Sequence, residues 1–553
     1  MAATTGSAIA CDIAVIGAGL AGGLVAADLA RAGLSVTLVE SGPPQPPPPR
    51  PSGRLARLGA ILADPRAAIA PGRWPEMLLV EDPARPGRVR ALPPVLGHGP
   101  GGSATLYGAA LTRLRRCDIE ADYRPRDQDA AGAVLPNAWP IGFDELRVWY
   151  DRAEAVLGLV GQRDPGDPDP APPLPAAPPV CPRDANLAGD LAARGCAPFR
   201  LPVGIAYRPG CTECQGHACP RGCKADSLVR ALRPALATGR VRMLCALTAR
   251  RIARRDGMLV VEAVDAAGQV AELAARRVVL AAGALNTPRI LMRSGGLWGR
   301  ADPPGLLGAG LMFHISDILA VFDRRDGEIW GPRKTICLRD FYRHGGEPLG
   351  EVQSLGLDVT PGQIAAYLAE EAAALGLGRI RPLVMLATRA PAMIAARLFA
   401  RAHLLATILE DLPLAANRVL PDPPGPPPAG PDPIRLRYGV TADVARRAAV
   451  MRRLVRAAFA PNRVRFLSRP GRPNWGHPMG TCRMGGSPGD SVCDPAGRLW
   501  GAPDIRIADA SVLPSSGGTN PSLTIAALAL RLAADLAAEL GGQTLSGPAQ
   551  ASA

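Results

Sequence analysis

The chain has 553 residues, 47% of them hydrophobic and 20% charged, a composition that excludes a disordered or fibrous protein and can fill a large core. Its formal charge of +14 rests almost wholly on arginine, since Lys224 and Lys334 are the only lysines. No zinc finger, RNA-binding signature or dense basic block accompanies that charge, so nucleic acid is not an expected partner. Twelve cysteines are too few for a disulfide scaffold, and the length predicts an enzyme built from several domain-sized units.

In chain order, the first signal is an apolar strand at residues 11–16 (CDIAVI). It runs into Gly17-Ala18-Gly19-Leu20-Ala21-Gly22, then an Ala/Leu-rich helix to about Arg31, a stop at Gly33 and a second strand at 35–40. This is a complete β–glycine turn–α–β unit close to residue 1. The N-terminus lacks a basic region followed by an apolar one, which predicts a cytoplasmic location.

Proline-rich stretches at 43–51, 165–182 and 421–433 read as linkers or surface excursions. Residues 98–113 form a second glycine-rich loop feeding a short helix. From 241 to 283 the pattern is strand-like, and Pro288 opens a helix. Residues 305–470 predict strands at 311–322 and 349–359 and helices at 361–410 and 441–460. The apolar series 382–410, interrupted by Arg389, Arg397 and Arg401, predicts a buried helix pair broken near Pro391. Alternatively it lies on a membrane surface or lines a substrate entrance. A long helix from Pro521 to about Leu540 closes the chain.

The glycine spacing has a physical reading. Gly17 permits a tight turn, Gly19 lets the backbone approach a pyrophosphate, and Gly22 allows close helix–strand contact. The helix N-terminus favours phosphate charge. Glu40, at the end of the second strand, is placed to accept from ribose hydroxyls, which points to FAD or NAD and away from NADP. The second glycine cradle at 99–103, the position near residue 1 and the closing C-terminal sequence favour FAD.

With these elements in place, the chain resembles the glucose–methanol–choline (GMC) oxidoreductase family over nearly its whole length. Four blocks in order carry the resemblance: IAVIGAGLAGGLVAADLARAGLSVTLVESG (13–42), GHGPGGSATLYGAALTR (97–113), RRVVLAAGALNTPRILMRSG (276–295), and GHPMGTCRMGG (476–486) with IADASVLPSSGGTNPSLTIAALALR (507–531). The resemblance implies an α/β fold. In it an FAD-binding Rossmann-like domain (1–42, 95–125, 220–304 and 475–545) interleaves with a mixed-sheet α+β substrate-binding domain and excursions (43–94, 126–219 and 305–474). It further implies oxidation of an alcohol CH–OH by hydride transfer to flavin N5, with oxygen, a quinone or a redox protein as acceptor. Gly17, Gly19, Gly22 and Glu40 would hold the ADP half of FAD. Gly101, Gly102 and Ser103 would lie beside the pyrophosphate and isoalloxazine, the segment near Ala246 by the adenine, and Asp509 at the ribityl end. His477 falls on the catalytic histidine and Asn520 on the second catalytic position. Many members attach FAD to a histidine after the second cradle; Ala104-Thr105-Leu106-Tyr107 stands here instead, which implies non-covalent FAD.

An alcohol must lose its O–H proton as hydride leaves carbon, so a histidine of near-neutral pKa is the expected base. Of six histidines, His477 sits in a Gly/Pro-punctuated loop ahead of the closing strand. Asn520 before Pro521 also reads as the N-cap of the last helix, and Arg483 as a partner for a substrate or loop carboxylate. Cys211, Cys214, Cys219 and Cys223 cluster in a single short segment and suggest a thiolate site for Zn or an iron–sulfur cluster, with His217 as a substitute ligand; disulfides and unligated thiols are the alternatives. Two further readings stay open: a non-redox or light-driven flavoenzyme (lyase or decarboxylase) on the same fold, and a flavin-containing electron-transfer subunit.

Overall fold

The computed structural model describes residues 9–44, 72–125, 134–295, 305–323, 328–356, 389–399, 401–423 and 433–541, with a few isolated positions between them. A sheet of eight strands forms the first layer. Its main path runs Arg498–Leu499, Ala502–Ile507, Val270–Leu280, Ile9–Ile16, Val36–Val39, Val241–Leu244. The central pairings are parallel, with Ile16 opposite both Val39 and Leu280. Parallel neighbours require a crossover, and Leu20–Arg31 supplies it. That helix is covered in turn by the last helix, Ser522–Glu539. Strands buried on both faces need unbroken apolar sequence, which explains the runs Ile13–Ile16 and Val278–Leu280 at 0–3% exposure.

The strand Ile9–Ile16 has parallel neighbours on both sides, one reached through Leu20–Arg31 and the other much later in the chain. At such a switch point the loops beyond the strand ends diverge and leave a crevice. Gly17, Ala281 and Ala508 follow directly on Ile16, Leu280 and Ile507 and so stand at one edge.

A second sheet is antiparallel, in the order Arg463–Phe466, Ile318–Phe322, His403–Leu409, Gly350–Ser354, Ile336–Leu338, Phe199–Arg200. Its side chains alternate with the pleat. Leu319, Val321, Val352, Leu405 and Leu409 pack on the helices Ala442–Phe459 and Pro182–Ala193. Ile318, Gln353, Ala406 and Ile408 face the opposite way, into the cavity described below. A four-stranded sheet, Arg418–Val419, Ile434–Arg437, Leu78–Glu81 and Val89–Leu92, closes a third side.

Three expectations change. Residues 403–409 are a strand, not the end of a helix: HLLATIL has no helical period, and both its edges find partners in Ile318–Phe322 and Gly350–Ser354. The helix Arg389–Phe399 runs through Pro391 without a break. Most of 357–388 lies outside the described residues. The strand Thr248–Arg255 is additional, its basic composition hiding it beside Met258–Val264. No helix among the described residues is long and apolar enough to cross a membrane.

Candidate active site

One cavity of about 1110 Å³ runs between the two large sheets. Gly17, Gly19, Glu40, Gly102, Ser103, Asp509, His477 and Asn520 all line it. Segments from opposite ends of the sequence thus converge on a single space.

Its floor is the first glycine turn. Gly17 has φ +103°, and a Cβ there would meet Ala281 O at 2.5 Å. Gly22 does not line the cavity because it sits under the turn, where a Cβ would lie 2.0 Å from Gly17 O. At Gly19 a Cβ would meet no atom closer than Gly102 Cα at 4.0 Å, so the space there is left for a ligand. The helix that begins at Leu20 has neither a capping side chain nor an acidic residue in its first turn. Its N–H groups are accordingly available to phosphate oxygens. The second cradle is tied to the first: Gly101 donates to Ala18 O at 2.8 Å, and Ser103 Oγ accepts from Gly97 at 3.1 Å. Gly101 serves this backbone link and is not part of the wall. These cradles fit the pyrophosphate of a dinucleotide such as FAD.

Glu40 is 6% exposed and accepts from three backbone N–H groups, Ala18 (2.8 Å), Gly42 (2.7 Å) and Gly99 (3.2 Å). The carboxylate therefore staples both glycine loops together besides facing the cavity. Ala246, at φ +58°, donates to Gly42 O, while its neighbours Leu247 and Thr248 form the wall. Asp509 accepts from Gly283 (2.8 Å), Ser511 (2.9 Å) and Thr287, which fixes the junction of two strand ends.

His477 stands at the other end. Met312 and Met479 exchange reciprocal backbone bonds of 3.0 Å, and Asn474 donates to His314 O at 2.7 Å, so the segments 312–314 and 474–479 run side by side. Gly480 permits the approach, since a Cβ there would lie 2.4 Å from Gly310 O. The result sets His314 Nδ1 3.0 Å from His477 Nδ1, with the rings perpendicular at 88°. His314 Nε2 lies 3.1 Å from both Ser516 O and Gly517 O. Carbonyls only accept, so that nitrogen carries the proton and the neutral ring offers Nδ1 as acceptor. His477 must then donate from Nδ1 and keep a lone pair on Nε2. The Asn474 amide, at 3.4 Å from the same Nδ1, is too long to compete.

Burial lowers the His477 pKa to about 3, with His314 adding to the effect, and burial lowers His314 to about 4. The expectation of a base with near-neutral pKa is thus corrected: desolvation keeps both rings uncharged at neutral pH. His314 was missed in the sequence. A lone histidine inside the apolar run LMFHIS was the available signal, because a buried imidazole needs a partner.

Asn520 is 8% exposed. The last helix is capped at Pro521, and Asn520 Oδ1 accepts from Gln353 Nε2 at 3.4 Å, not from the helix N–H groups, while its NH₂ donates to Gln353 Oε1 at 2.9 Å. The N-cap reading fails because Gln353 on the facing sheet is the better-placed partner. Arg483 is buried outside the cavity wall and donates to Asp490 O, and burial lowers its pKa to about 10; it braces its own loop.

The structure gives no support for a metal centre at the four clustered cysteines. Among the described residues no three His, Cys, Asp or Glu side chains converge to hold an ion. Cys223 packs in an apolar cluster with Phe199 and Ile205, and Cys219 Sγ accepts from the Cys223 N–H at 3.3 Å. His217 Nδ1 sits 3.2 Å from Gln215 O and joins no ligand set.

Family models match in three stretches: an FAD binding domain at residues 12–46, and GMC oxidoreductase models at 200–316 and 421–529. Paromamine 6'-oxidase of Streptomyces fradiae is 30% identical over 571 aligned positions, covering 96% of this chain and 92% of that protein. 2-Methyl-1,2-propanediol dehydrogenase of Mycolicibacterium austroafricanum is 28% identical and covers 95% of each. Pyridoxine 4-oxidase from Mesorbium loti shares the fold with a TM-score of 0.57 at 21% identity, covering 95% of this chain and 98% of its own.

Proposed function

The chain belongs to the GMC oxidoreductase family, and on that premise we propose that it oxidises an alcohol CH–OH group, with His477 taking the hydroxyl proton. FAD, when bound, supplies the hydride acceptor. Gly17, Gly19 and the N-terminus of Leu20–Arg31 hold its pyrophosphate, Glu40 faces its ribose, and Gly102 and Ser103 lie along its length. Nothing in the Ala104–Tyr107 stretch offers a histidine, and among the described residues His477 is the only histidine lining the cavity, which supports non-covalent binding.

The observation that carries the reading is the His314–His477 pair. His477 Nε2 keeps its lone pair for the hydroxyl, and Asn520, which lines the same cavity, orients that hydroxyl. An amide is no base at neutral pH, so the proton falls to the imidazole. The electron acceptor is oxygen, a quinone or a redox protein. The relatives named above, an oxidase and a dehydrogenase by their names, support an alcohol or sugar derivative as substrate.

The test is anaerobic mixing of the FAD-loaded protein with a panel of primary and secondary alcohols and sugars. Bleaching of the oxidised flavin band by at least one of them is expected. Full retention of that band across the panel would overturn the reading.

A further inference from the structure

We propose that the buried Lys334 ammonium and the Gln215 amide form an anion-binding subsite of this cavity, and that the alcohol oxidised carries a carboxylate. The proposal rests on the oxidation reading above and adds the charge of the substrate.

Lys334 is one of two lysines in the chain and is 2% exposed, yet it lines the cavity. Its Nζ donates to Gln215 Oε1 and Leu355 O, both at 2.6 Å. An ammonium has three N–H donors, and two are engaged. Nζ also stands against Gly108, where a Cβ would lie 2.7 Å away, on the loop that follows the second glycine cradle. The other lysine differs: Lys224 Nζ meets three carbonyls, those of Tyr107, Cys214 and His217, and is saturated.

The neighbouring carboxylate supports the cation by its charge but makes no hydrogen bond to Nζ. Glu213 spends its oxygens on the backbone N–H groups of Arg333 and Lys334 and on Tyr207 Oη. Burial lowers the Lys334 pKa only to about 8, so the cation persists at neutral pH. The Gln215 oxygen must face the ammonium, which can only donate, and its NH₂ therefore points away as a second donor. Two donors side by side match the two oxygens of a carboxylate.

The cavity's own carboxylates are elsewhere. Among the described residues its wall contains Glu40, Asp82 and Asp509. Glu40 and Asp509 are bonded into the glycine turns, and Asp82 Oδ1 accepts from Ala84 in a hairpin turn. None is hydrogen-bonded to His477 or Asn520. Gln353, which holds Asn520, and Leu355, which holds Lys334, are next-but-one neighbours in the chain, a rise of roughly 7 Å. Asn520 and Lys334 are thus held by one short stretch of chain, and the proposed substrate spans both.

Equilibrium binding to the full-length FAD-loaded protein tests this with three non-oxidisable three-carbon probes, propionate, propionamide and propylammonium, read by perturbation of the flavin spectrum. Propionate should bind about tenfold or more tighter than propylammonium. Lys334→Met and Gln215→Glu should each erase that advantage; the second, at a half-buried loop position, guards against a folding defect in the first. Propylammonium binding as tightly as propionate, or a propionate advantage surviving in folded samples of either variant, would overturn the proposal. Failure of every alcohol to bleach the flavin would instead sink the oxidation reading, while the probe ranking would still decide the subsite.

Discussion

The Nδ1 atoms of His314 and His477 face one another at 3.0 Å, and the far nitrogen of His314 is committed to two carbonyls. That arrangement allows one neutral tautomer of His477. It converts a backbone feature, the positions of Ser516 and Gly517, into the availability of a lone pair on the opposite side of a second ring.

His477→Ala should lower the rate of flavin reduction by about 10²–10⁴-fold while leaving bound FAD unchanged, as expected for loss of a general base. Asn520→Ala, which removes only an orienting amide, should cost roughly tenfold by comparison. Stopped-flow absorbance measures both, and equal losses would contradict the division of roles.

His314→Phe leaves His477 without its acceptor and frees the wrong tautomer. A drop in kcat of about 10²-fold with KM little altered is the expected outcome. A ¹⁵N spectrum of the imidazoles distinguishes this from a packing defect, because the His477 signals should exchange the protonated Nδ1 pattern for a mixture.

Both rings have depressed folded-state pKa values, about 4 for His314 and about 3 for His477, against about 6.5 unfolded. Between pH 6.5 and these values the unfolded chain binds more protons, so their contribution to stability is complete above pH 6.5 and is lost as pH falls towards 4 and 3. Urea midpoints at pH 7 and pH 5 should show the decline. Flavin reduction should correspondingly lack an acid limb centred at pH 6.5.

Gly19→Val adds a Cβ no nearer to the facing loop than 4.0 Å, at Gly102 Cα, and brings bulk into the space of the first turn. Folded, colourless protein is expected, with a far-ultraviolet spectrum matching the parent. Yellow protein with parental FAD content would show that the pyrophosphate lies elsewhere.

Acid precipitation of the holoprotein should release all flavin to the supernatant, since no histidine follows the second cradle. Flavin retained in the pellet would indicate a covalent bond.

Local elements were the most legible. The unit Ile9–Ile16, Leu20–Arg31, Val36–Val39 is set by apolar runs and glycines of its own short stretch, and its expected bounds differ from the observed ones by at most a few positions. His403–Leu409 was not, because an apolar run without periodicity takes its form from partners far along the chain. The same holds at the site. Gly19 and His477 announce themselves by neighbouring residues, but His314 and Lys334 matter only through contacts with residues distant in sequence. Asn520 preceded a helix as read, yet its amide went to Gln353, a pairing that no local pattern contains.

The grip of Glu40 on the amides of residues 18, 42 and 99 also bears on how the holoprotein is assembled. One carboxylate latches three chain crossings through the protein's own hydrogen bonds, so the shape of the nucleotide mould is set by the chain itself. Little of a bound nucleotide's affinity is then consumed in ordering those loops.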